Sequence, residues 1–355
     1  MIQTADMKNR LKAGIIGLGK MGSIRAEVIQ NHPAFDLRAV CDVTRGNGRD
    51  YPKSVFFGNY QDLLEQKLDA VFVCTPNLYI PEIVVNALNR GIHVFCEKPP
   101  GRNLDDVILM REAEAANPGL KLKFGFNHRY HQAMQDAKSI VERGRLGRIM
   151  WIRGIYGKAG GPGYDRNWRT QPGISGGGIL IDQGIHLVDL LLMFCTDFTD
   201  IHSFINRSFW DTPVEDNAFV IMKNTANQVA MVHSSATQWQ HRFLLEIYLE
   251  RGYLTVDGIL SATGTYAPET LKTARCLYDR DGYPLPNPHE TLTLYEDDRS
   301  WQLEIDDFAR HIREDTPVAI GSSRDAYKVM ELVEKIYRAD AEWVGYLNRQ
   351  RGIIK

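Results

Sequence analysis

Asp182 and His186 stand four residues apart in the glycine-rich stretch Gly176-Gly177-Gly178-Ile179-Leu180-Ile181-Asp182-Gln183-Gly184-Ile185-His186-Leu187-Val188-Asp189. Three successive glycines give the backbone freedom for a tight turn. The run from Ile181 to Phe194 reads as a mostly buried helix, which puts Asp182 and His186 on one face. A carboxylate one turn before an imidazole suits proton handling, because it can orient the ring and favour its charged form. The same spacing fits a solvated helix face or half of a metal site, so the pair does not decide alone. Lys98 is a second candidate, at the end of an apolar strand and just before Pro99. Neutral, its amine accepts a proton; charged, it polarises a hydroxyl or carbonyl oxygen. A plain ion pair with Glu97 is the alternative.

The third chemical group is Gly17-x-Gly19-x-x-Gly22, which follows a short apolar strand and opens a helix from about Met21 to Gln30. Gly17 permits the turn, Gly19 lets a pyrophosphate approach the backbone, and Gly22 lets the helix pack against the sheet. The helix N-terminus, with Lys20 and Met21, offers N–H groups and a positive dipole end to phosphates. The strand Leu37–Asp42 ends in an acid 20 residues after Gly22. That is the position of a ribose-binding carboxylate. It favours NAD, because Asp42 repels a 2′-phosphate. Arg45 keeps NADP open. Thr75-Pro76-Asn77 and Glu97-Lys98 fall at further strand ends, where such sheets bind ligands.

These groups need elements to hold them. Strands near 69–74, 92–96 and 121–126 alternate with helices near 80–88 and 104–116, which predicts an α/β, doubly wound parallel sheet over residues 1–126. Residues 127–355 read as a second, strand-rich α+β domain. Its strands are predicted near 148–156, 217–223, 228–237, 243–250, 252–257 and 291–295, and two amphipathic helices close the chain. The proline-broken segment Ala267–Glu290 reads as a surface excursion. The loop Gly157–Gly173 carries Tyr164, Trp168 and Arg169 and suits a substrate lid. Trp168 offers an apolar face to a sugar ring, and Arg169 a planar fork to hydroxyls or a phosphate. Arg129 is a candidate for substrate contact or for a structural ion pair. His128 and His131 read as peripheral, and His233 and His241 as candidates to line the sheet face toward the site.

The 355 residues are enough for two cores, and a net charge of −2 without a basic run gives no sign of a nucleic-acid partner. No apolar stretch approaches the ~20 residues of a bilayer span, so no membrane partner is expected. The polar N-terminal ten residues read as a frayed end. Five cysteines without paired spacing fit a reducing cytoplasm.

Taken together, the chain resembles the glucose–fructose oxidoreductase/inositol dehydrogenase/MocA (Gfo/Idh/MocA) family of NAD(P)-dependent oxidoreductases. The resemblance runs from Ala13 to about Ala339. It rests on Gly17-x-Gly19-x-x-Gly22, Thr75-Pro76-Asn77, Glu97-Lys98-Pro99, Phe126-Asn127-His128-Arg129-Tyr130, Trp168-Arg169 and the glycine-rich segment through Asp189. It implies an N-terminal Rossmann domain and a C-terminal domain with a large open, mostly antiparallel sheet that pairs subunits as a homodimer or homotetramer. It also implies last helices that pack back near the nucleotide domain, a cis Lys98–Pro99 peptide, and a substrate site lined by Lys98, Asp182 and His186. Relatives often carry a His where this chain has Ile80, so that residue's role does not carry over.

The function implied is NAD-dependent oxidation of a ring secondary hydroxyl, such as C3, of a sugar or nucleotide-linked sugar, or the reverse. His186 is the expected base, and no metal is required. An inositol or amino-cyclitol substrate, an NAD-assisted non-redox hydrolysis or elimination, and a non-catalytic dinucleotide sensor are the alternatives.

Overall fold

The computed structural model describes residues 10–261 and 263–350; the N-terminal stretch expected to fray lies outside them apart from Arg10. The chain forms two compact units. One takes residues up to Asn127, Gly173–Gly176 and Ser300–Met330; the other takes His128–Pro172, Gly177–Arg299 and the chain from Glu331.

In the first unit, apolar runs too short for helices become strands, and four of the six are followed by an α-helix. The elements are β1 (Leu11–Ile16), α1 (Lys20–Asn31), β2 (Phe35–Cys41), β3 (Val55–Phe57), α2 (Tyr60–Leu64), β4 (Ala70–Val73), α3 (Ile80–Asn89), β5 (His93–Cys96), α4 (Leu104–Ala116) and β6 (Leu122–Phe124). All neighbours pair in parallel in the order β3-β2-β1-β4-β5-β6. The order reverses between β1 and β4, which is the switch point where such sheets take ligands. On α3 the buried side chains include Ile80, Ile83, Val84, Ala87 and Leu88, the stripe the 3.6-residue period predicts.

The helix Ser300–Arg313 also belongs to this unit. Its Phe308 ring meets those of Phe35, Phe72 and Phe95 at centroid distances of 6.4, 5.8 and 5.7 Å. Beside them lies a buried charge cluster. Arg25 of α1 reaches Glu97 and Glu304, each at 2.6 Å, and its guanidinium lies over the rings of Phe95 and Trp301. Removing one member of such a cluster costs about 3–5 kcal/mol, because a charge is left buried without compensation.

The second unit is built on eight strands: β7 (Ile149–Gly157), β8 (Phe198–Asn206), β9 (Asn217–Asn224), β10 (Val229–Ser235), β11 (Arg242–Leu249), β12 (Gly252–Asp257), β13 (Glu269–Arg275) and β14 (Glu290–Tyr295). Their order is β14-β13-β12-β11-β7-β10-β9-β8. Every neighbouring pair is antiparallel except β7 and β10. A parallel pair needs a crossover; α5 (Gln132–Glu142) precedes β7, and between β7 and β10 the chain passes through the short turn α6 (Pro172–Ser175), α7 (Ile185–Phe194), β8 and β9. Small residues bring α7 close. A Cβ on Gly154 of β7 would stand 2.9 Å from Leu187, and one on Gly184 would stand 2.8 Å from Ser234 of β10.

Three expectations are corrected here. The segment read as a surface excursion contributes β13, an interior strand between β12 and β14. Its prolines flank the strand without entering it, and the buried Glu269 hides the alternation that would have marked it. β8 at the far edge was not anticipated either. Finally, Pro172–Phe194 is long and apolar enough to cross a bilayer, although 72% of its most apolar window is buried inside the protein, as in a core helix.

Candidate active site

The glycine turn of the first unit has the form a pyrophosphate needs. Gly17 sits at φ +92°, and a Cβ there would stand 2.7 Å from the Cys74 carbonyl oxygen. A Cβ on Gly22 would stand 1.9 Å from the Gly17 oxygen, so only glycine lets α1 start this close to β1. Gly19, which precedes the first turn of α1, has open space where its Cβ would be. Lys20, exposed, and Met21, half-buried, begin the helix. Asp42 follows β2. It accepts from the Leu18 N–H at 2.7 Å on one oxygen and from the Thr44 N–H at 2.8 Å on the other. Its carboxylate is therefore fixed at the rim of the glycine turn. Arg45 begins the exposed turn beyond it.

Thr75, Pro76 and Asn77 follow β4. The Thr75 hydroxyl oxygen is buried without a hydrogen-bond partner in the protein, as suits a group kept for a ligand. Asn77 is buried, and its amide donates to the Ser175 carbonyl at 2.7 Å, which ties the leading edge of the glycine-rich segment to the switch point. Lys98 lies half-buried past β5, and the Lys98–Pro99 peptide is cis, as the resemblance implies. Glu97, expected beside the cofactor, points instead into the core, where Arg25 holds it. A carboxylate with a buried guanidinium at 2.6 Å has its strongest partner already.

In the second unit the glycine-rich segment is anchored by Glu215. This buried carboxyl accepts from the N–H groups of Gly178 at 2.8 Å and Leu180 at 3.0 Å, and from the Tyr337 hydroxyl at 2.7 Å. Burial pushes it up to about 7, against the pull of those donors. A Cβ on Gly178 would stand 2.1 Å from the Glu215 carbonyl oxygen, which explains the glycine. The next five residues, Leu180–Gly184, form a π turn rather than the regular α-helix expected. Such turns hold one extra residue and recur at functional sites.

Asp182 lies in that turn, between two cations. Lys158 Nζ stands 2.8 Å from one oxygen and Arg169 Nε 3.2 Å from the other. The Arg169 guanidinium lies over the Trp168 ring at 4.4 Å, Lys158 faces the Tyr164 ring at 5.8 Å, and Tyr164 packs against Trp210. Tyr164, Trp168 and Arg169, expected in a substrate lid, are thus gathered around Asp182 through Lys158 and Arg169. Lys158 was missed, because a lysine just past a strand end carries no pattern of its own.

His186 is buried on α7, and its ring stacks on His128 with centroids 3.6 Å apart and planes 17° apart. His128 Nε2 lies 3.3 Å from the Tyr156 hydroxyl. Burial raises the Tyr156 phenol well above its ordinary range, so it stays protonated. His131 Nδ1 lies 2.8 Å from Glu269, which also accepts from the N–H groups of Ala133 and Leu260. Burial works to raise the Glu269 carboxyl, yet His131 and these donors hold it below the usual range. The expectation that His128 and His131 are peripheral is therefore corrected: both are buried within the cluster. An i, i+3 histidine pair ahead of a helix was the one available signal.

Two further assignments change. Arg129 forms a buried two-pronged pair with Asp189, at 2.8 and 2.6 Å, so its fork is committed to structure rather than to substrate. His233 stacks on Phe219 and bonds Asn217 on the sheet face opposite α7. His241 stacks on Tyr266, whose hydroxyl takes the amide of Gln183 beside Asp182. Among the described residues, no group of three or more His, Cys, Asp or Glu could hold a metal ion.

The parallel sheet with its phosphate-ready turn, and the mixed sheet carrying an Asp/His helix, define a nicotinamide-dependent oxidoreductase. Residues 11–122 match the oxidoreductase family with an NAD-binding Rossmann fold, and residues 134–255 match the GFO/IDH/MocA C-terminal domain. The chain belongs to the Gfo/Idh/MocA family, and its cofactor is NAD. It is similar to D-glucoside 3-dehydrogenase of Escherichia coli (strain K12), at 28% identity over 95% of this chain and 97% of that protein. It is also similar to myo-inositol 2-dehydrogenase of Thermotoga maritima, at 25% identity over 71% of this chain and 77% of the other. Its fold matches that of levoglucosan dehydrogenase in complex with NADH and levoglucosan, with a TM-score of 0.83 and 19% identity over 94% of this chain and 98% of that one.

Proposed function

We propose that this enzyme oxidises a ring secondary hydroxyl, with C3 favoured, of a sugar or nucleotide-linked sugar to the ketone, or catalyses the reverse reduction. The observation that carries the reading is the buried His186 imidazole, which follows an Asp182 held between Lys158 and Arg169 in a chain that also has the glycine turn and Asp42. The names of the glucoside, glucose-6-phosphate and levoglucosan dehydrogenases among its relatives support a sugar ring. The inositol dehydrogenases keep a cyclitol second.

Gly17, Gly19, Lys20, Met21 and Gly22 hold the pyrophosphate, Asp42 the ribose, and Thr75, Pro76 and Asn77 the face of the switch point. When bound, NAD supplies the hydride acceptor. Neutral His186 takes the hydroxyl proton as the carbinol carbon gives up its hydride, and it returns that proton in the reverse direction. Lys98 hydrogen-bonds the reacting oxygen and stabilises charge there. The reverse division, with Lys98 as base and His186 as donor, uses the same residues. Trp168 and Tyr164 offer aromatic faces to the ring, and Arg169 polar fingers to its hydroxyls.

A second copy of the chain is the partner we assign to the open face of the eight-stranded sheet. There Phe204, Phe219, Ile221 and Met231 are exposed by 75, 42, 50 and 41%. Such a continuous apolar face suits a homodimer, or a homotetramer if a further surface is used. The five free cysteines fit a reducing compartment, the cytoplasm.

The test is a spectrophotometric screen for reduced nicotinamide with NAD or NADP and a panel of free sugars, glycosides, inositols and nucleotide sugars. Hits are repeated with Lys98→Ala and His186→Ala. Loss of more than about a hundredfold in kcat in both variants supports the assignment. Wild-type rates in both would overturn it.

A further inference from the structure

We propose that Trp239 and Phe209 form a second sugar subsite beside the Asp182 clamp, so that the preferred substrate is a neutral glycoside of two or more rings rather than a free monosaccharide or a nucleotide-linked sugar. This rests on the sugar-oxidising reading of the site, and the experiment separates the two.

The register of the eight-stranded sheet brings the parts together. Gly157, Ser235, Asn217 and Asn206 pair in one row across β7, β10, β9 and β8, and Arg242 of β11 pairs with Gly157. The segments that leave this row start as neighbours: the Gly157–Gly173 loop from β7, Ser208–Trp210 after β8, and Ala236–Gln240 after β10. Backbone bonds tie them. The Lys158 N–H donates to the Ser235 carbonyl at 2.9 Å, and the Gln238 N–H donates to the Lys158 carbonyl at 3.0 Å. The Trp210 indole N–H donates to the Ala236 carbonyl at 2.9 Å. Trp210 also supports the Gly157–Gly173 loop, since a Cβ on Gly160 would stand 2.5 Å from its ring.

A line of rings runs outward from the clamp. Lys158, whose ammonium holds Asp182, faces the Tyr164 ring. Tyr164 meets Trp210 at 5.0 Å, Trp210 meets Phe209 at 5.2 Å, and Phe209 meets Trp239 at 5.1 Å. Trp210 is committed to holding these segments. Phe209 and Trp239 are 63 and 62% exposed, with planes 78° apart. Exposed apolar side chains scattered singly are ordinary, whereas adjoining aromatic rings beside a site mark a binding surface.

A pyranose suits these rings. Its C–H face packs on the negative face of an aromatic ring and leaves its hydroxyls at the edges. Gln238 and Gln240 flank Trp239, and among the described residues neither side-chain amide makes a hydrogen bond. Each offers donors and an acceptor to hydroxyls. A nucleoside diphosphate does not suit them. Lys158, Arg169, Arg207 and Arg166 stand 2.8, 3.2, 3.6 and 3.8 Å from carboxylates. Asp216 adds a further negative charge, accepting from the N–H groups of Ser208, Phe209 and Trp210 at 2.7, 2.8 and 2.9 Å. A diphosphate arriving here competes with a carboxylate for every one of these cations.

The experiment compares kcat/KM for a monosaccharide, its α- and β-linked disaccharides and its nucleoside-diphosphate form in the wild type, Trp239→Ala and Trp239→Phe. We expect the wild type to favour one disaccharide over the monosaccharide by about tenfold or more, through KM. That ratio should fall by about tenfold in Trp239→Ala and by less in Trp239→Phe, which keeps a flat ring. A purely structural role lowers both substrates together and leaves the ratio standing, which overturns the proposal. A nucleotide-linked sugar preferred over both disaccharides overturns it as well. So does a lower mass by light scattering in Trp239→Ala, which assigns the rings to contact between copies. Phe209→Ala takes the place of Trp239→Ala if the latter does not fold. If no sugar of the panel is oxidised, the reading of the site fails by itself, and binding decides the subsite. Tryptophan fluorescence titrated with the two disaccharides should then respond in the wild type and not in Trp239→Ala; equal responses, or none in either, sink the subsite.

Discussion

Lys158 places its ammonium 2.8 Å from one oxygen of Asp182, while Arg169 takes the other oxygen at 3.2 Å. The carboxylate is partly solvated, so the clamp adds little stability; pairs of this kind contribute about 0–1 kcal/mol. Its value lies in fixing the π turn just ahead of His186. Lys158→Met should therefore lower kcat/KM by about ten- to a hundredfold and leave the melting temperature within a few degrees. Steady-state kinetics and a thermal melt on the same sample check this. An equal loss of stability and rate would assign Lys158 to folding.

Asp42 accepts two backbone N–H groups at the glycine turn and presents a negative charge at its rim, where the proposed function puts the ribose. Asp42→Ser keeps an acceptor and removes the charge. NAD should then lose about tenfold in kcat/KM and NADP should gain. The ratio of the two, measured with one substrate, is the readout. An unchanged ratio would place cofactor selection elsewhere.

Glu215 titrates at about 7 in the folded protein and from an ordinary value of 4.5 in the open chain. Between those values the folded state binds more protons than the unfolded one. Stability from this group is therefore full below about 4.5 and is lost as the pH rises through about 7. Burial raises Glu304 to about 7 as well, so the two act in the same window. Glu215→Gln should flatten this part of the stability-against-pH curve, measured by urea unfolding at several pH values. It should also cost about 1–3 kcal/mol at low pH, because one backbone donor loses its acceptor. A wild-type slope in the variant would assign the dependence to other groups.

Phe219 and Ile221 stand on the open sheet face. In the homodimer proposed above this face joins two copies, so a charge there should separate them. Phe219→Glu with Ile221→Lys should shift the mass measured by light scattering toward that of one chain, while far-ultraviolet circular dichroism is retained. An unaltered mass would move the interface to another surface.

The parallel sheet was legible because its strands are unbroken apolar runs and α3 repeats Ile80, Ile83, Val84, Ala87 and Leu88 at helical spacing. Gly17 and Gly22 were legible because backbone geometry leaves little choice of residue, and Asp42 through its spacing from Gly22 at a strand end. The glycine-rich segment announced Asp182 and His186 in the same way. What stayed hidden depends on contacts distant in sequence. Glu215 meets Gly178 across 37 residues, Lys158 meets Asp182 across 24, and Glu269 meets His131 across 138. A buried carboxylate within a strand looks like a solvent-facing residue until its partner is known, and β13 was lost for that reason. The π turn was hidden too, since a helical period cannot show where one residue is surplus.

That surplus residue gives the π turn of Leu180–Gly184 a directional meaning. An α-helix advances about 100° per residue, so one extra residue offsets everything upstream from everything downstream by that angle. Asp182 lies within the offset and His186 just beyond it. Deleting a single residue there would let the backbone relax into an ordinary helix and swing Asp182 around the axis, away from Lys158 and Arg169, without disturbing the packing of α7 on its sheet. The turn is a phase setting: it decouples the angular position of the carboxylate from that of the imidazole, so that each can be aimed separately along one continuous rod.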